Sequence, residues 1–351
     1  MALSKLVTGT PDDDTDLKIS TTFKALMCPS VLDAIFKKLS VPDLHSARLV
    51  CTKWGDVGSS ILAKKGWLIL DFCDVPLSDV VSLPDKFFRR VVISHLDVAM
   101  CKAIWESTFA TNCDTLLPRM DQFTKDLHLY VGKWCGVPIL KALANSHFPN
   151  LTSIRIRFMP GGYQRLSQDC QNFTGRSKLI KLDLILINCD ENHELLTSIC
   201  QSLINAGALN LEELRIDGDI YPDLSNCGKL KVLKYTFLQG RRQFNLPSLN
   251  NMLDAVSASI GKLDVNYGTQ CDRSDVILTG LETYRLRLPR PMPNFTTVVF
   301  TNAALVFLFT GCGIKDAAFL QCCDRTRKRV RDVDPRKELP FWICYTMNPP
   351  K

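Results

Sequence analysis

A six-residue pattern with apolar residues at its first, fourth and sixth positions recurs through most of this 351-residue chain. The alternation in its last three residues predicts a short β-strand with one buried face. A unit this short cannot bury that face alone, so neighbouring copies have to stack. The clearest copies begin at Leu151, Leu179, Leu211, Leu230 and Leu281, and weaker ones begin at Phe88, Thr124, Ile260 and Phe295.

The spacing of these copies indicates what lies between them. Their first positions are 14 to 36 residues apart, and several separations are close to the roughly 20–29 residues of a strand-plus-helix repeat. Helices are expected to start near Pro138, Asp190 and Pro247. Stacked units of this kind favour a parallel sheet. A doubly wound α/β sheet is the alternative, which the unequal spacing and the lack of a glycine-rich phosphate loop disfavour.

A different, purely helical pattern precedes the copies. From Val31 to Leu39 apolar residues recur at helical spacing, and Pro42 and Asp43 start a second helix whose apolar face continues to Trp54. A helical piece of about 40 residues has a thin core. The remaining large apolar side chains therefore indicate either a partner protein or packing on the rest of the chain, and periodicity alone does not decide between them.

The run Met27 to Leu39, followed by Asp43-Leu44, Ala47-Arg48, Val50-Cys51 and Trp54, resembles the F-box, with no gap from Leu32 onward. Met27 and Cys28 stand where the family has Leu and Pro. In that family the module docks on the Skp adaptor of cullin-type (SCF) ubiquitin ligases. The resemblance implies that seven apolar residues contact the adaptor: Leu32, Ile35, Phe36, Leu39, Leu44, Val50 and Trp54.

The repeated pattern resembles the leucine-rich repeats of F-box/leucine-rich repeat proteins. The resemblance implies an α/β fold in which a short helical F-box module precedes a curved solenoid, with parallel strands lining the concave side and helices outside. The expected order is a disordered acidic tail (1–22), the F-box (23–66), a linker (67–87), seven to nine degenerate repeats (88–310), and a C-terminal cap with a basic tail (311–351).

Side chains between the buried strand positions would face the concave surface. The charged ones are nine basic and five acidic, which predicts a mixed surface with a mild preference for acidic or phosphorylated partners. The alternative is a set of solvated strand edges without a selected ligand. The candidate substrate-binding residues are Arg155, Arg157, Arg215, Lys234, Arg285 and Arg287.

Catalysis by this chain is not expected. No nucleophile elbow, phosphate loop or metal-binding pattern occurs, and the 15 cysteines form no CxxC pair. We expect no cofactor and no metal, and a reduced compartment, cytoplasmic or nuclear. Many thiols lie at apolar positions, which favours inert core cysteines. A cysteine hydrolase remains the enzymatic alternative.

Two further segments bear on other classes of partner. The apolar stretch 298–314 is too short and too polar to span a bilayer, so it is read as core and no membrane association is expected. Residues 325–331 contain five basic side chains, which fit a nuclear-localisation or nucleic-acid patch or a solvated helix face. Nucleic acid is not expected as a partner, because the net charge is only +7 and no aromatic residues interleave the basic ones.

These features together predict a non-catalytic substrate-recognition adaptor of an SCF ubiquitin ligase. The F-box would bind the Skp adaptor and, through it, the cullin/RING ligase. The repeats would bind a protein substrate, and proximity would supply the rate enhancement. The alternative is a leucine-rich repeat scaffold whose F-box is vestigial or works outside a ligase.

Overall fold

The computed structural model describes residues 24–71, 80, 82–94, 103–132, 136–159, 173, 176, 178–186, 193–237, 245–267, 292–301, 307–308 and 342–343. The chain divides into two compact units. The first comprises Met1–Leu68 and Pro84–Arg90, and the second comprises Ile69–Leu83 and Val91–Lys351. Each unit is described by itself below.

The described residues of the first unit include the helices α1 (Pro29–Phe36), α2 (Val41–Ala47) and α3 (Thr52–Lys65). Ser40 caps α2, because its hydroxyl accepts a hydrogen bond from the backbone N–H of Asp43. The expectation that one helix continues from Pro42 to Trp54 is wrong. Helix α2 ends at Ala47, and Trp54 belongs to α3.

A 3-10 helix, Asp85–Arg89, completes the first unit. Phe88 is fully buried, and the Arg90 guanidinium donates a hydrogen bond to the Lys65 carbonyl at 2.9 Å. The same guanidinium lies 4.2 Å from the centre of the Trp67 ring, a cation–π contact. These contacts hold the end of α3 against the segment at 84–90.

A nine-stranded sheet contains the strands in strict sequence order, β1 to β9. All neighbouring pairs from β3 to β9 are parallel. A doubly wound sheet reverses its strand order at a switch point, and these nine strands contain no such reversal, so that alternative is wrong. The strands are β1 (Leu68–Asp71), β2 (Arg90–Ser94), β3 (Asp126–Val131), β4 (Ser153–Phe158), β5 (Lys181–Leu186), β6 (Glu213–Asp217), β7 (Val232–Phe237), β8 (Lys262–Tyr267) and β9 (Thr297–Thr301).

The six-residue pattern predicts the buried side of this sheet. In the copy that begins at Leu151, all three apolar positions are fully buried, and so are those of the copies at Leu179 and Leu230. Thr124 occupies a first position without an apolar side chain. It fits there because its hydroxyl donates to the Met120 carbonyl at 2.9 Å, which satisfies the buried group.

A ladder of backbone hydrogen bonds ties the copies together just before the strands. In the copies that begin at Leu151, Leu179, Leu211, Leu230 and Ile260, the amides at the second and third positions both donate to the second-position carbonyl of the preceding copy; in the copy at Phe295, the Thr296 amide donates to the Gly261 carbonyl. Thr152 and Ser153, for example, both donate to the Lys125 carbonyl, at 2.8 and 3.0 Å. The second positions of the ladder are Lys125, Thr152, Ile180, Glu212, Lys231, Gly261 and Thr296.

Helices follow several strands, as expected from the spacing. Those near Pro138, Asp190 and Pro247 are confirmed as α5 (Gly136–Asn145), α6 (His193–Gly207) and α7 (Leu246–Ala255). Helix α4 (Ala103–Met120) was not predicted, and it carries Pro118 within its last turn. A Pro inside a helical pattern usually indicates a break, which obscured this helix in the sequence.

The short separation between the copies at Leu211 and Leu230 has a structural cause. No helix lies between β6 and β7; instead Ile220, Leu224 and Cys227 bury their side chains. The Gln201 amide of α6 donates to the Asp223 carbonyl at 2.9 Å and accepts from the Asp223 N–H at 2.7 Å. This clasp fixes the helix-free connection to α6.

Near the C-terminus, strand β8 pairs with β9, and the predicted copy that begins at Leu281 lies outside the described residues. Strands β10 (Phe307–Leu308) and β11 (Trp342–Ile343) form a separate antiparallel pair. The basic segment 325–331 also lies outside the described residues. Among the described residues, no helix combines the length and the apolar character that a bilayer span requires.

Candidate functional site

The core of the first unit consists of five fully or almost fully buried side chains. They are Leu32, Phe36, Leu44, Ile61 and Leu62. The Phe36 and Trp54 rings meet edge to face with their centres 5.3 Å apart, a favoured aromatic geometry. The unit is thus held together by the side chains through which α1 and α2 pack on α3.

Polar contacts fix the ends of the helices around this core. The Trp54 indole donates from Nε1 to the Leu26 carbonyl at 3.2 Å. Lys65 Nζ donates to the carbonyls of Lys37 and Leu39, at 2.6 and 3.0 Å. The carbonyls that follow α1 therefore receive a charged donor from α3, which favours one arrangement of the helices.

Helix α1 has two apolar faces, because Val31 and Ile35 lie one residue before Leu32 and Phe36. Leu32 and Phe36 point inward and are fully buried, whereas Val31 and Ile35 are 38% and 39% exposed. The connection between α2 and α3 exposes two further apolar side chains, Leu49 at 78% and Val50 at 64%. We call Val31, Ile35, Leu49 and Val50 the exposed apolar set. The exposed parts of these four side chains lie outside the core of the unit.

The seven residues expected to contact the adaptor therefore fall into two groups. Leu32, Phe36 and Leu44 are fully buried inside the unit, and Leu39 and Trp54 pack against them while half-buried. In this conformation the first three have no surface to offer a partner, because they form the hydrophobic core. Ile35 and Val50 are the two that remain well exposed.

A second candidate surface is the polar side of the sheet in the second unit. The strand registers align its side chains in rows that run across the strands. One row places Arg155, Asp183, Arg215, Lys234 and Asp264 next to one another on β4 to β8. The sheet thus brings together three of the candidate residues, Arg155, Arg215 and Lys234, and adds two carboxylates between and beside them.

Two of the candidate arginines are paired with buried carboxylates. Arg155 donates from Nε and Nη2 to Asp183 Oδ2, at 3.0 and 2.8 Å. Arg215 Nε lies 3.0 and 2.9 Å from the two carboxylate oxygens of Asp217, and its Nη2 lies 2.6 Å from Oδ2. The hydrogen bond that Arg215 donates to Asp217 raises the pKa of Arg215, although partial burial of the guanidinium opposes this shift.

The other candidates have weaker or undescribed surroundings. The Arg157 guanidinium lies 5.5 Å from the centre of the Tyr130 ring. Lys234 lies near Asp264, whose pKa is raised by burial and held down in part by the charge of Lys234. Arg285 and Arg287 lie outside the described residues.

The described residues contain no group of three or more side chains suited to hold a metal ion. Their cysteines include three that are buried, Cys113, Cys200 and Cys227, and burial raises the pKa of Cys227 to about 11. Cys28 is the N-cap of α1. Its pKa is lowered, chiefly by a hydrogen bond with the Ser30 hydroxyl at 3.1 Å.

Sequence reasoning missed four residues of these two surfaces. Val31 belongs to the family pattern but is not among the contacts that the resemblance implies, although its position next to the inward-facing Leu32 could have indicated it; Leu49 lies outside the pattern. Asp183 and Asp217 occupy strand positions expected to be solvated, yet both are buried. Their pairing with arginines becomes visible only with the register between strands or, for Asp217, with the strand geometry.

Comparison with known families agrees with the geometry of the first unit. The F-box domain model matches residues 25–62, the segment that contains α1, α2 and most of α3. No curated protein matches the sequence. F-box domains bind the Skp adaptor in SCF complexes, and proteins that carry them are generally non-catalytic substrate adaptors. The match and the three helices together identify residues 25–62 of this chain as an F-box domain.

Proposed function

We propose that this chain is the substrate-recognition subunit of an SCF ubiquitin ligase. The F-box domain binds the Skp adaptor, which links it to the cullin/RING ligase, and the second unit binds a protein substrate. The chain performs no catalysis itself and works in the cytoplasm, the nucleus or both. The observation that carries the proposal is the F-box match over residues 25–62, in a unit that leaves large apolar side chains exposed.

The exposed apolar set is the proposed adaptor contact. Exposed apolar side chains on a small unit that already has its own core are typical of a protein–protein interface. Leu32, Phe36 and Leu44 support the docking surface from within, because they fix α1 and α2 on α3. Of the seven residues named from the family pattern, mainly Ile35 and Val50 would therefore contact the adaptor directly.

The second unit is proposed to be a leucine-rich repeat solenoid. The sequential parallel strands and the hydrogen-bond ladder that joins seven copies support this assignment. A solenoid of this kind presents its strand face as an extended binding surface. Specificity would then reside in the second unit, and ubiquitin transfer would be performed by the partner ligase.

The test is co-purification of the full chain with the Skp adaptor. We expect the wild type to form a stable complex and Ile35→Asp with Val50→Asp to weaken it at least about 100-fold, because a carboxylate buried without a partner in an apolar contact is costly. Leu209→Asp is the matched control, because Leu209 is 80% exposed but lies in the second unit. Wild-type affinity in the double variant would reject the contact set.

A scaffold protein whose F-box works outside a ligase is the second candidate. The observation that favours it is the start of α1, where Cys28 is the N-cap and makes no capping hydrogen bond through its side chain. If a correctly folded wild-type chain fails to bind the Skp adaptor, this candidate replaces the first.

A further inference from the structure

The strand face of the second unit carries two arginines in the same row, two strands apart. Arg155 on β4 and Arg215 on β6 flank Asp183 on β5. Neighbouring strands lie about 4.8 Å apart, so the two positions are separated by about 9–10 Å. Each arginine is about two-fifths exposed, at 40% and 42%, while the carboxylates that hold them, Asp183 and Asp217, are 5% and 8% exposed.

The two guanidinium groups are held in a fixed orientation. In each, Nε and Nη2 face a buried carboxylate, which leaves the Nη1 edge directed away from that pair. A long side chain normally loses rotamer freedom when it binds a partner. Because the buried carboxylates have already restricted Arg155 and Arg215, these two side chains are preorganised donors for an oxygen acceptor.

The charge of the surrounding face limits which acceptor fits. Strands β4 to β7 carry five basic side chains and three acidic ones on this face: Arg155, Arg157, Lys181, Arg215 and Lys234 against Asp183, Glu213 and Asp217. The small positive excess favours an anion. Two singly charged carboxylates balance this excess of two positive charges, whereas two phosphates would bring a charge of about −3 to −4.

We propose that Arg155 and Arg215 bind two carboxylates about 10 Å apart on an unphosphorylated protein segment. Asp183 and Asp217 are positioning residues that hold the two guanidinium groups. This inference rests on the proposed role of the second unit in substrate binding. It names the substrate feature that the face recognises, a pair of Asp or Glu side chains.

The test uses the immobilised full chain and three pools of fluorescent 12-residue peptides. Each pool is randomised with neutral residues around two fixed positions, three residues apart, which an extended chain separates by about 10 Å. The fixed residues are glutamate, glutamine or phosphoserine. We expect the glutamate pool to be retained at least about tenfold better than the glutamine pool and no worse than the phosphoserine pool.

Variants assign the effect to the two arginines. Arg155→Gln and Arg215→Gln should each lower retention of the glutamate pool by about tenfold, the size of a lost charge-assisted hydrogen bond. Lys229→Gln is the matched control, because it removes a positive charge from outside the strands, where Lys229 bonds Asn210 at 2.6 Å. Asp183→Asn should also lower retention of the glutamate pool in the wild-type background, but it should have no further effect when Arg155→Gln is already present. A merely structural role of Asp183 would lower retention in both backgrounds.

Several results would overturn the inference. These are equal retention of the glutamate and glutamine pools, no retention of any pool, preferential retention of the phosphoserine pool, or stronger binding in Asp183→Asn. The assay does not require the Skp adaptor. A chain that retains the glutamate pool but fails to bind the adaptor would reject the ligase proposal and leave this inference standing.

Discussion

Replacing Phe36 by Ala separates the core of the F-box domain from its docking surface. The Phe36 side chain is fully buried and packs edge to face on Trp54. Truncation of a buried Phe costs about 3–5 kcal/mol. A core of this size supplies no more than roughly 3–5 kcal/mol in total. The variant should therefore unfold α1 to α3.

Ile35→Ala is the matched control on the same helix. Ile35 is 39% exposed, so its truncation should change stability by less than about 1 kcal/mol, as is usual for a surface position. Both variants should weaken adaptor binding, but for different reasons. Phe36→Ala removes the folded domain, and Ile35→Ala removes a contact.

Hydrogen exchange measured by mass spectrometry on the full chain distinguishes these causes. Peptides that cover Pro29–Phe36 and Thr52–Lys65 should lose their protection in Phe36→Ala and keep it in Ile35→Ala. The reasoning is refuted if Phe36→Ala keeps native protection in both helices yet fails to bind the adaptor. That result would make Phe36 itself a contact residue.

Three other predictions concern the second unit and the cysteines. Arg176→Met should lower the free energy of unfolding by about 2 kcal/mol in urea titrations, because the carbonyls of Leu143, Ser146 and His147 lose their donor. The loss is moderated because burial disfavours the charged guanidinium, which lowers the pKa of Arg176 to about 10. Unchanged stability would contradict the assigned bonds. Gly207→Ala should lower the free energy of unfolding by about 1–3 kcal/mol in the same titrations, because a Cβ there would lie 2.7 Å from Leu179 Cδ2. Gly228→Ala should not lower it, because nothing lies within 4 Å of a Cβ at that position. Equal effects of the two substitutions would be inconsistent with that packing. At pH 8 an alkylating reagent should modify Cys28 well before Cys227, because the pKa of Cys28 is lowered and that of Cys227 is raised. The protonated Cys227 thiol stabilises the fold fully below its ordinary pKa of 9.0, and this contribution is lost as the pH rises from there through about 11. Equal labelling rates by mass spectrometry would contradict these environments.

The repeated pattern was sufficient to predict the buried side of the sheet. Positions such as Ile154 and Ile156 follow from local alternation, which fixes the face of a strand. The helix-free connection before β7 could not be predicted, because it depends on the clasp between Gln201 and Asp223. The spacing of 19 residues was the one local sign of it.

The candidate sites were predicted less completely than the fold. In the F-box domain the family pattern identifies important apolar positions, but it does not separate Leu32, which is buried, from Val31, which is exposed. On the sheet, the pairing of Arg155 with Asp183 joins residues on neighbouring strands. Such a contact depends on the register between strands, which one sequence does not reveal.

Hydrogen exchange of the full chain with and without the Skp adaptor tests the central claim most directly. The account predicts added protection in the peptides that contain Val31, Ile35, Leu49 and Val50, and no change along the strands β4 to β7. A chain that binds the adaptor with its added protection on the strands, or that leaves the F-box peptides unchanged, would contradict the account.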